Sequence, residues 1–73
     1  AYADAAAAYG ELLAKYPKAQ KGPESLVKLA RSMRLMGQPK EACKALGLMS
    51  KQFPKAPEAA RALAASERAR SSC

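Results

Sequence analysis

The reactive side chains of this chain are few, and their spacing gives little support for a metal centre. The sequence holds two cysteines, Cys43 and Cys73, and no histidine. The cysteines lie 30 residues apart and form no CxxC pair, whereas zinc sites draw clustered Cys and His ligands from short spacings. We therefore expect no metal and no other cofactor.

The acidic residues are scattered along the chain and form no pair suited to acid–base catalysis. They are Asp4, Glu11, Glu24, Glu41, Glu58 and Glu67. No nucleophile has a histidine base to activate it, and no glycine-rich loop has the pattern of a phosphate-binding loop. The sequence therefore predicts a binding protein and not an enzyme.

Basic residues outnumber acidic ones by 13 to 6, which gives a formal net charge of +7. Such a surplus favours an acidic partner: nucleic acid, an anionic membrane surface or an acidic protein face. The alternative is that the charges keep an alanine-rich helical surface solvated. The aromatic residues are few, which disfavours nucleic acid, and no apolar run approaches the roughly 20 residues of a membrane span.

The composition and the positions of the prolines together predict an all-α fold. The chain is rich in alanine, the best helix former, and nearly free of β-branched residues, since Val27 is its only valine and it has no isoleucine or threonine. Proline cannot continue a helix but suits its first turn, so Pro17 and Pro54 close helices and Pro23 opens one. Four helices are predicted, at about residues 2–16, 23–36, 39–53 and 57–70.

The sequence repeats itself at an offset of 37 residues. Residues 9–10 then match 46–47, and the run 16–19 (Tyr-Pro-Lys-Ala) matches 53–56 (Phe-Pro-Lys-Ala). Chance would rarely place the same stop at the same distance from a glycine, even in an alanine-rich chain. We therefore expect an array of similar units, in which a short turn at 37–39 makes the second and third helices an antiparallel hairpin.

From Pro23 onward the pattern resembles a tetratricopeptide repeat, a helix-turn-helix unit of about 34 residues. The characteristic positions of that unit fall on Leu26, Leu29, Ala30, Met33, Gly37, Ala42, Leu46, Met49 and Pro54. The resemblance implies an antiparallel helix-hairpin solenoid within a single domain or fragment. A half repeat at 1–17 would precede a full repeat at 23–54 and a C-terminal capping helix at 57–70. Three extra residues after Pro17 lengthen the period.

The period of 37 residues, in place of 34, indicates a particular group of tetratricopeptide proteins. The pattern aromatic-Pro-Lys-Ala, then Leu-x-Lys-Leu-Ala, then Gly-Gln-Pro-x-Glu-Ala-Cys resembles the C-terminal domain of the periplasmic cell-division coordinator family of the Tol–Pal system. The resemblance implies a periplasmic adaptor that binds a Tol-system envelope protein and couples outer-membrane constriction to the peptidoglycan-synthesis machinery. The alternatives are a generic tetratricopeptide scaffold of another envelope assembly and a basic nucleic-acid-binding helical module.

The two cysteines gain a role in such an array. The last helix would run antiparallel to the third, so that Cys73, after the last helix, lies near Cys43 in the first turns of the third. We expect a disulfide between them, which implies an oxidising compartment such as the periplasm. Closing this loop would stabilise the fold by roughly 3–4 kcal/mol in the chain-entropy model. The alternative is a buried free Cys43 and a frayed chain end at Cys73.

The resemblance also implies a partner-binding groove, because the first helices of successive units line the concave face of such arrays. The residues expected there are Val27, Lys28, Arg31, Arg34, Arg61 and Arg68. Arginine suits bidentate capture of carboxylates, so the expected ligand is an acidic or extended polypeptide segment. Val27 stands where the carboxylate clamp of chaperone-binding arrays needs a lysine, so that particular clamp is not expected. A structural module without a groove ligand is the remaining alternative.

The first helix would lack a preceding partner helix and leave an apolar face open, formed by Tyr2, Tyr9, Leu12 and Leu13. This face predicts either self-association or cover by a segment outside this sequence. A homo-oligomer would form through this helix or through the N-terminal coiled coil that members of the coordinator family carry. Because the chain starts at Ala1, without Met and inside a predicted helix, we expect it to be a fragment with no signal peptide of its own.

Overall fold

The computed structural model describes all residues from Ala1 to Cys73 and contains helices and turns without strands. The helices are α1 (Tyr2–Lys15), α2 (Gly22–Leu35), α3 (Pro39–Gly47), α4 (Met49–Gln52) and α5 (Glu58–Arg70). The predicted all-α fold of antiparallel helix hairpins is therefore confirmed. The bounds of α1, α2 and α5 lie within one residue of the predicted ones.

The predicted continuous helix over residues 39–53 is wrong in one respect, because the chain is interrupted at Leu48 between α3 and α4. The Leu48 N–H donates to the carbonyl of Ala45, three residues back, at 3.1 Å. Gly47 precedes the break, and glycine weakens a helix interior by about 1 kcal/mol relative to alanine. Leu48 keeps helical dihedral angles, with φ −78° and ψ −14°, so the break is a tightened turn and not a switch to extended chain.

The turn after α2 has the geometry that glycine makes possible. Gly37 has φ +79°, in the left-handed region that side-chain-bearing residues rarely adopt. The N–H of Gln38 donates to the carbonyl of Met33 at 2.9 Å, and the N–H of Gly37 donates to that of Arg34 at 3.0 Å. This pair of bonds is a Schellman motif, which satisfies the last carbonyls of α2 and returns the chain into α3.

The core is centred on α2, which packs against α1, α3 and α5. Ala30 and Ala42 are both fully buried, and their small side chains let α2 and α3 approach closely. The buried core residues are Leu26, Val27, Leu29, Ala30, Ala42, Ala45, Leu46, Met49, Phe53, Ala56 and Ala64. α1 adds the partly buried Ala6, Tyr9 and Leu13. This core is small, as expected for a chain of 73 residues.

Candidate partner-binding site

A groove runs between α2 and α5, and residues of both helices line it. The contributing positions follow the spacing i, i+3, i+4, i+7 in both helices, which places each set on a single helix face. They are Glu24, Val27, Lys28 and Arg31 from α2, with Leu63, Ser66, Glu67 and Arg70 from α5. We call this cavity of about 300 Å³ the α2–α5 groove.

The apolar part of the α2–α5 groove consists of Val27 and Leu63. Val27 is 7% exposed and belongs to the core, so it forms a floor with little free surface. Leu63 is 52% exposed, although leucine is a side chain that folding usually covers. The groove therefore offers an uncovered apolar contact beside its charged residues.

Two arginines in the α2–α5 groove have no carboxylate partner. Lys28 pairs with Glu24 at 3.5 Å, and both side chains are about half exposed. Arg31 and Arg70 form no salt bridge, and both are exposed. An exposed pair such as Lys28–Glu24 contributes little to stability and can be exchanged for a ligand at small cost. The groove thus presents two uncompensated guanidinium groups and one ammonium group in a weak pair.

Glu67 is buried at the bottom of the α2–α5 groove and is neutralised from α2. The Nε of Arg34 donates to its Oε2 at 2.9 Å, and the Nη2 donates to its Oε1 at 3.5 Å. The side chains of Arg34 and Glu67 are 21% and 8% exposed. Because a buried carboxylate is costly without a partner, this two-point contact holds α5 against α2 and removes a negative charge that would repel an acidic ligand.

The structure brings together three of the six residues predicted for the groove. Val27, Lys28 and Arg31 lie in the α2–α5 groove. Arg34 is half-buried and is used internally by its salt bridge with Glu67, so it is not available to a ligand in the way we expected.

Arg61 and Arg68 lie elsewhere, on the opposite flank of α5. They line a separate cavity of about 470 Å³ between α5 and the α3–α4 segment. We call it the C-terminal groove; its residues are Leu46, Met49, Ser50, Phe53, Pro54, Arg61, Ala64, Ala65 and Arg68. The buried residues Ala60, Ala64 and Glu67 form a stripe that separates the two flanks, so one groove cannot contain both sets of arginines.

Sequence reasoning missed five groove residues, which are Glu24, Leu63, Ser66, Glu67 and Arg70. Leu63, Glu67 and Arg70 follow helical spacing, so a helical projection centred on Leu63 would have grouped them. The pairing of Glu67 with Arg34 had no such signal. Glu67 occupies the position that Met33 holds one 34-residue unit earlier, where an apolar residue is expected.

A disulfide joins Cys43 in α3 to Cys73, which follows α5. The Cα atoms of Cys43 and Cys73 are 5.6 Å apart, within the usual range for a bridge. A second Schellman motif places Cys73 there: its N–H donates to the carbonyl of Arg68 at 3.0 Å, and Ser72 adopts φ +58°. The turn that leads α2 into α3 thus recurs after α5, where it carries Cys73 to α3.

No group of three Cys, Asp or Glu side chains comes together as a metal site. None of the helices has the length and apolar character needed to cross a membrane.

Part of the chain is similar to a known protein family. Residues 24–56 match the family model described as tetratricopeptide repeat. This segment is similar to a tetratricopeptide repeat. The matched segment covers nearly all of α2, together with α3, α4 and the loop that follows, and it includes the fully buried Ala30 and Ala42. Neither the curated proteins nor the solved structures include a significant match to the chain.

A tetratricopeptide repeat is typically a non-catalytic module for protein–protein interaction, and its stacked helix pairs present a concave surface to a partner. The α2–α5 groove lies between the first helix of the matched segment and the helix that follows that segment. Its position therefore agrees with the surface that such arrays use.

Proposed function

We propose that this chain is a protein-interaction module that binds an acidic segment of a partner polypeptide in the α2–α5 groove. The observation that carries the proposal is the pair of exposed, unpaired arginines, Arg31 and Arg70, on the two walls of a groove with an uncovered Leu63. The expected ligand has carboxylates on both sides of an apolar side chain. The apolar group would cover Leu63 while the carboxylates reach the guanidinium groups.

The chemistry of arginine supports a carboxylate ligand. A guanidinium group donates two parallel hydrogen bonds to one carboxylate, which gives direction as well as charge. Both arginines are exposed, so water and salt screen them and each contact contributes modestly. We therefore expect binding that is moderate in affinity and weakens as the salt concentration rises.

A labelled peptide of alternating glutamate and leucine tests this proposal by fluorescence anisotropy. The unmodified chain should bind it, and Arg31→Glu with Arg70→Glu should weaken binding by about tenfold or more, because attraction becomes repulsion. A peptide with glutamine in place of glutamate should bind poorly.

The matched control is Arg61→Glu with Arg68→Glu, which changes the net charge equally but lies in the C-terminal groove. This variant should retain peptide binding. An equal loss in both variants would mean that net charge, and not the α2–α5 groove, attracts the peptide. Tighter binding of a random single-stranded oligonucleotide, with a steep salt dependence, would favour the nucleic-acid alternative.

We further propose that the module works in the bacterial periplasm as an adaptor of the Tol–Pal system, with a Tol-system envelope protein or the peptidoglycan-synthesis machinery as its partner. The support is the resemblance in the stop and turn motifs, together with a disulfide of the kind that persists in oxidising compartments. Thiol-blocking of whole cells before lysis tests the compartment. Both cysteines should escape alkylation until the protein is reduced, whereas alkylation of both without reductant would contradict an oxidising location.

A further inference from the structure

α1 leaves open a face whose counterpart in the matched repeat is closed. At the 37-residue offset, Ala5, Tyr9, Leu12 and Tyr16 correspond to Ala42, Leu46, Met49 and Phe53. The second set is buried, at 0–8% exposure. Leu12 and Tyr16, in contrast, are 37% and 59% exposed. α1 therefore has the pattern of the second helix of a repeat, and no helix of residues 1–73 covers its outer face.

α5 shows the opposite case, since it has the pattern of a first helix and not of a second one. At the 34-residue offset, Pro57-Glu58 corresponds to Pro23-Glu24, so α5 has the pattern of the first helix of a repeat. Whereas α2 packs against α1, α3 and α5, α5 packs mainly against α2 and α3. The side of α5 left over forms the wall of the C-terminal groove, with apolar Leu46, Met49 and Phe53 opposite. Within residues 1–73, no second helix packs on α5 in the way that α3 packs on α2.

The charges of these two surfaces are complementary. α1 carries Asp4 and Glu11 against a single Lys15, and it is the only helix with a net negative charge. Glu11 pairs with Lys15 at 2.9 Å, but both side chains are exposed, so this pair can be exchanged for an arginine at small cost. The C-terminal groove contains no acidic residue, and its Arg61 and Arg68 have no salt-bridge partner. Arg61 donates only one hydrogen bond, to the carbonyl of Pro54 at 3.3 Å.

The spacing of the charges agrees as well. Asp4 and Glu11 are seven residues apart, as are Arg61 and Arg68, so each pair lies along one side of its helix at a separation of two turns. In an antiparallel arrangement Asp4 would lie near Arg68, and Glu11 near Arg61. This is also the relative direction in which α3 follows α2 within the matched repeat.

We propose that the occupant of the C-terminal groove is α1 of a second copy of this chain. The two half units, α5 of one copy and α1 of the next, then complete one tetratricopeptide-type hairpin. The contact is heterologous, because different surfaces of the two copies meet, so it continues head to tail into a chain or closes into a ring. It uses the flank of α5 opposite to the α2–α5 groove and does not depend on the peptide-binding proposal.

Sedimentation velocity over a wide range of concentrations tests the assembly, and charge reversal on each side identifies the contact. The unmodified chain should form species larger than a monomer as its concentration rises. Asp4→Lys with Glu11→Lys should weaken association by about tenfold or more, since both surfaces then become positive. Arg61→Glu with Arg68→Glu should do the same, since both become negative.

Mixing the two reversed variants is the decisive step. The positive α1 of the first variant then meets the negative groove of the second. An equimolar mixture should therefore recover the association that neither variant shows alone. Arg31→Glu with Arg70→Glu is the charge-matched control and should assemble as the unmodified chain does. Circular dichroism should show that all variants are folded.

Three results would overturn the proposal. The first is a monomer at every concentration, and the second is an unmodified assembly that the reversed pairs leave intact. The third is a mixture that stays monomeric, because opposite charges on α1 and on the groove should restore a contact between them. A symmetric contact of α1 with α1, or of groove with groove, is recognised by the single variants, because it would survive charge reversal on the other surface. Non-reducing electrophoresis should show no bridge between chains, and an intermolecular disulfide would attribute the larger species to Cys43 or Cys73.

Discussion

At the scale of single residues, the glycines divide into those that the fold needs and those that it tolerates. Gly22 begins α2 against the ring of Phe53, and a Cβ at this position would overlap the Cε1 and Cζ atoms of that ring. Gly10 lies inside α1, where a Cβ would have no neighbour within 4 Å. The same substitution should therefore have opposite effects at the two positions.

Gly22→Ala should destabilise the protein by about 1–3 kcal/mol, because a core aromatic ring must move to make room. Gly10→Ala should stabilise it by up to about 1 kcal/mol, because alanine is the better helix former and meets no obstacle. Urea unfolding followed by circular dichroism measures both. Equal effects at the two positions would show that the close approach of Gly22 to Phe53 is absent in solution.

At the scale of the helices, α5 adds no large apolar side chain to the buried core. Its buried residues are Ala60, Ala64 and Glu67, and two of these are alanines. A buried alanine removes less apolar surface from water than a leucine or phenylalanine does. The attachment of α5 therefore depends on the Arg34–Glu67 contact and on the Cys43–Cys73 bridge beyond its last turn.

Reduction of the disulfide, or replacement of both cysteines by alanine, should lower the free energy of unfolding by roughly 3–4 kcal/mol, since the unfolded chain regains the entropy of an open loop. The loss should be greatest for α5. Hydrogen exchange should show faster exchange of its amides than of those in the α2–α3 hairpin, whose own contacts remain. Uniform acceleration across all helices would instead mean that the fold opens as one unit.

Helix positions could be predicted from sequence because proline and glycine act locally. Pro17 ends a helix whatever surrounds it, and Gly37 supplies the positive φ that its turn requires. The interruption at Leu48 was not predictable in this way. Gly47 only weakens a helix, and whether the chain tightens there depends on how Met49 and Phe53 enter the core.

At the scale of the whole molecule, the net charge of +7 does not describe the surface that a partner meets. Four of the basic residues are paired with carboxylates, and the Arg34–Glu67 pair among them is internal. Of the unpaired arginines, Arg31 and Arg70 lie in the α2–α5 groove, whereas Arg61 and Arg68 lie in the C-terminal groove. The unpaired arginines thus form two separate sites. We propose that the α2–α5 groove binds a partner polypeptide and that the C-terminal groove binds a second copy of the chain.

The sequence by itself determined the helical class, the repeat and the antiparallel hairpin, because helix propensity, proline stops and apolar spacing are properties of neighbouring residues. Only the tertiary structure decided which flank of α5 meets α2. Since each residue advances about 100° around a helix, Arg70 lies on the opposite side of α5 from Arg61 and Arg68, and the rotational setting of α5 decides which side faces the groove. That rotation is set by the burial of Ala60 and Ala64 and by the contact of Glu67 with Arg34, which join residues far apart in the chain.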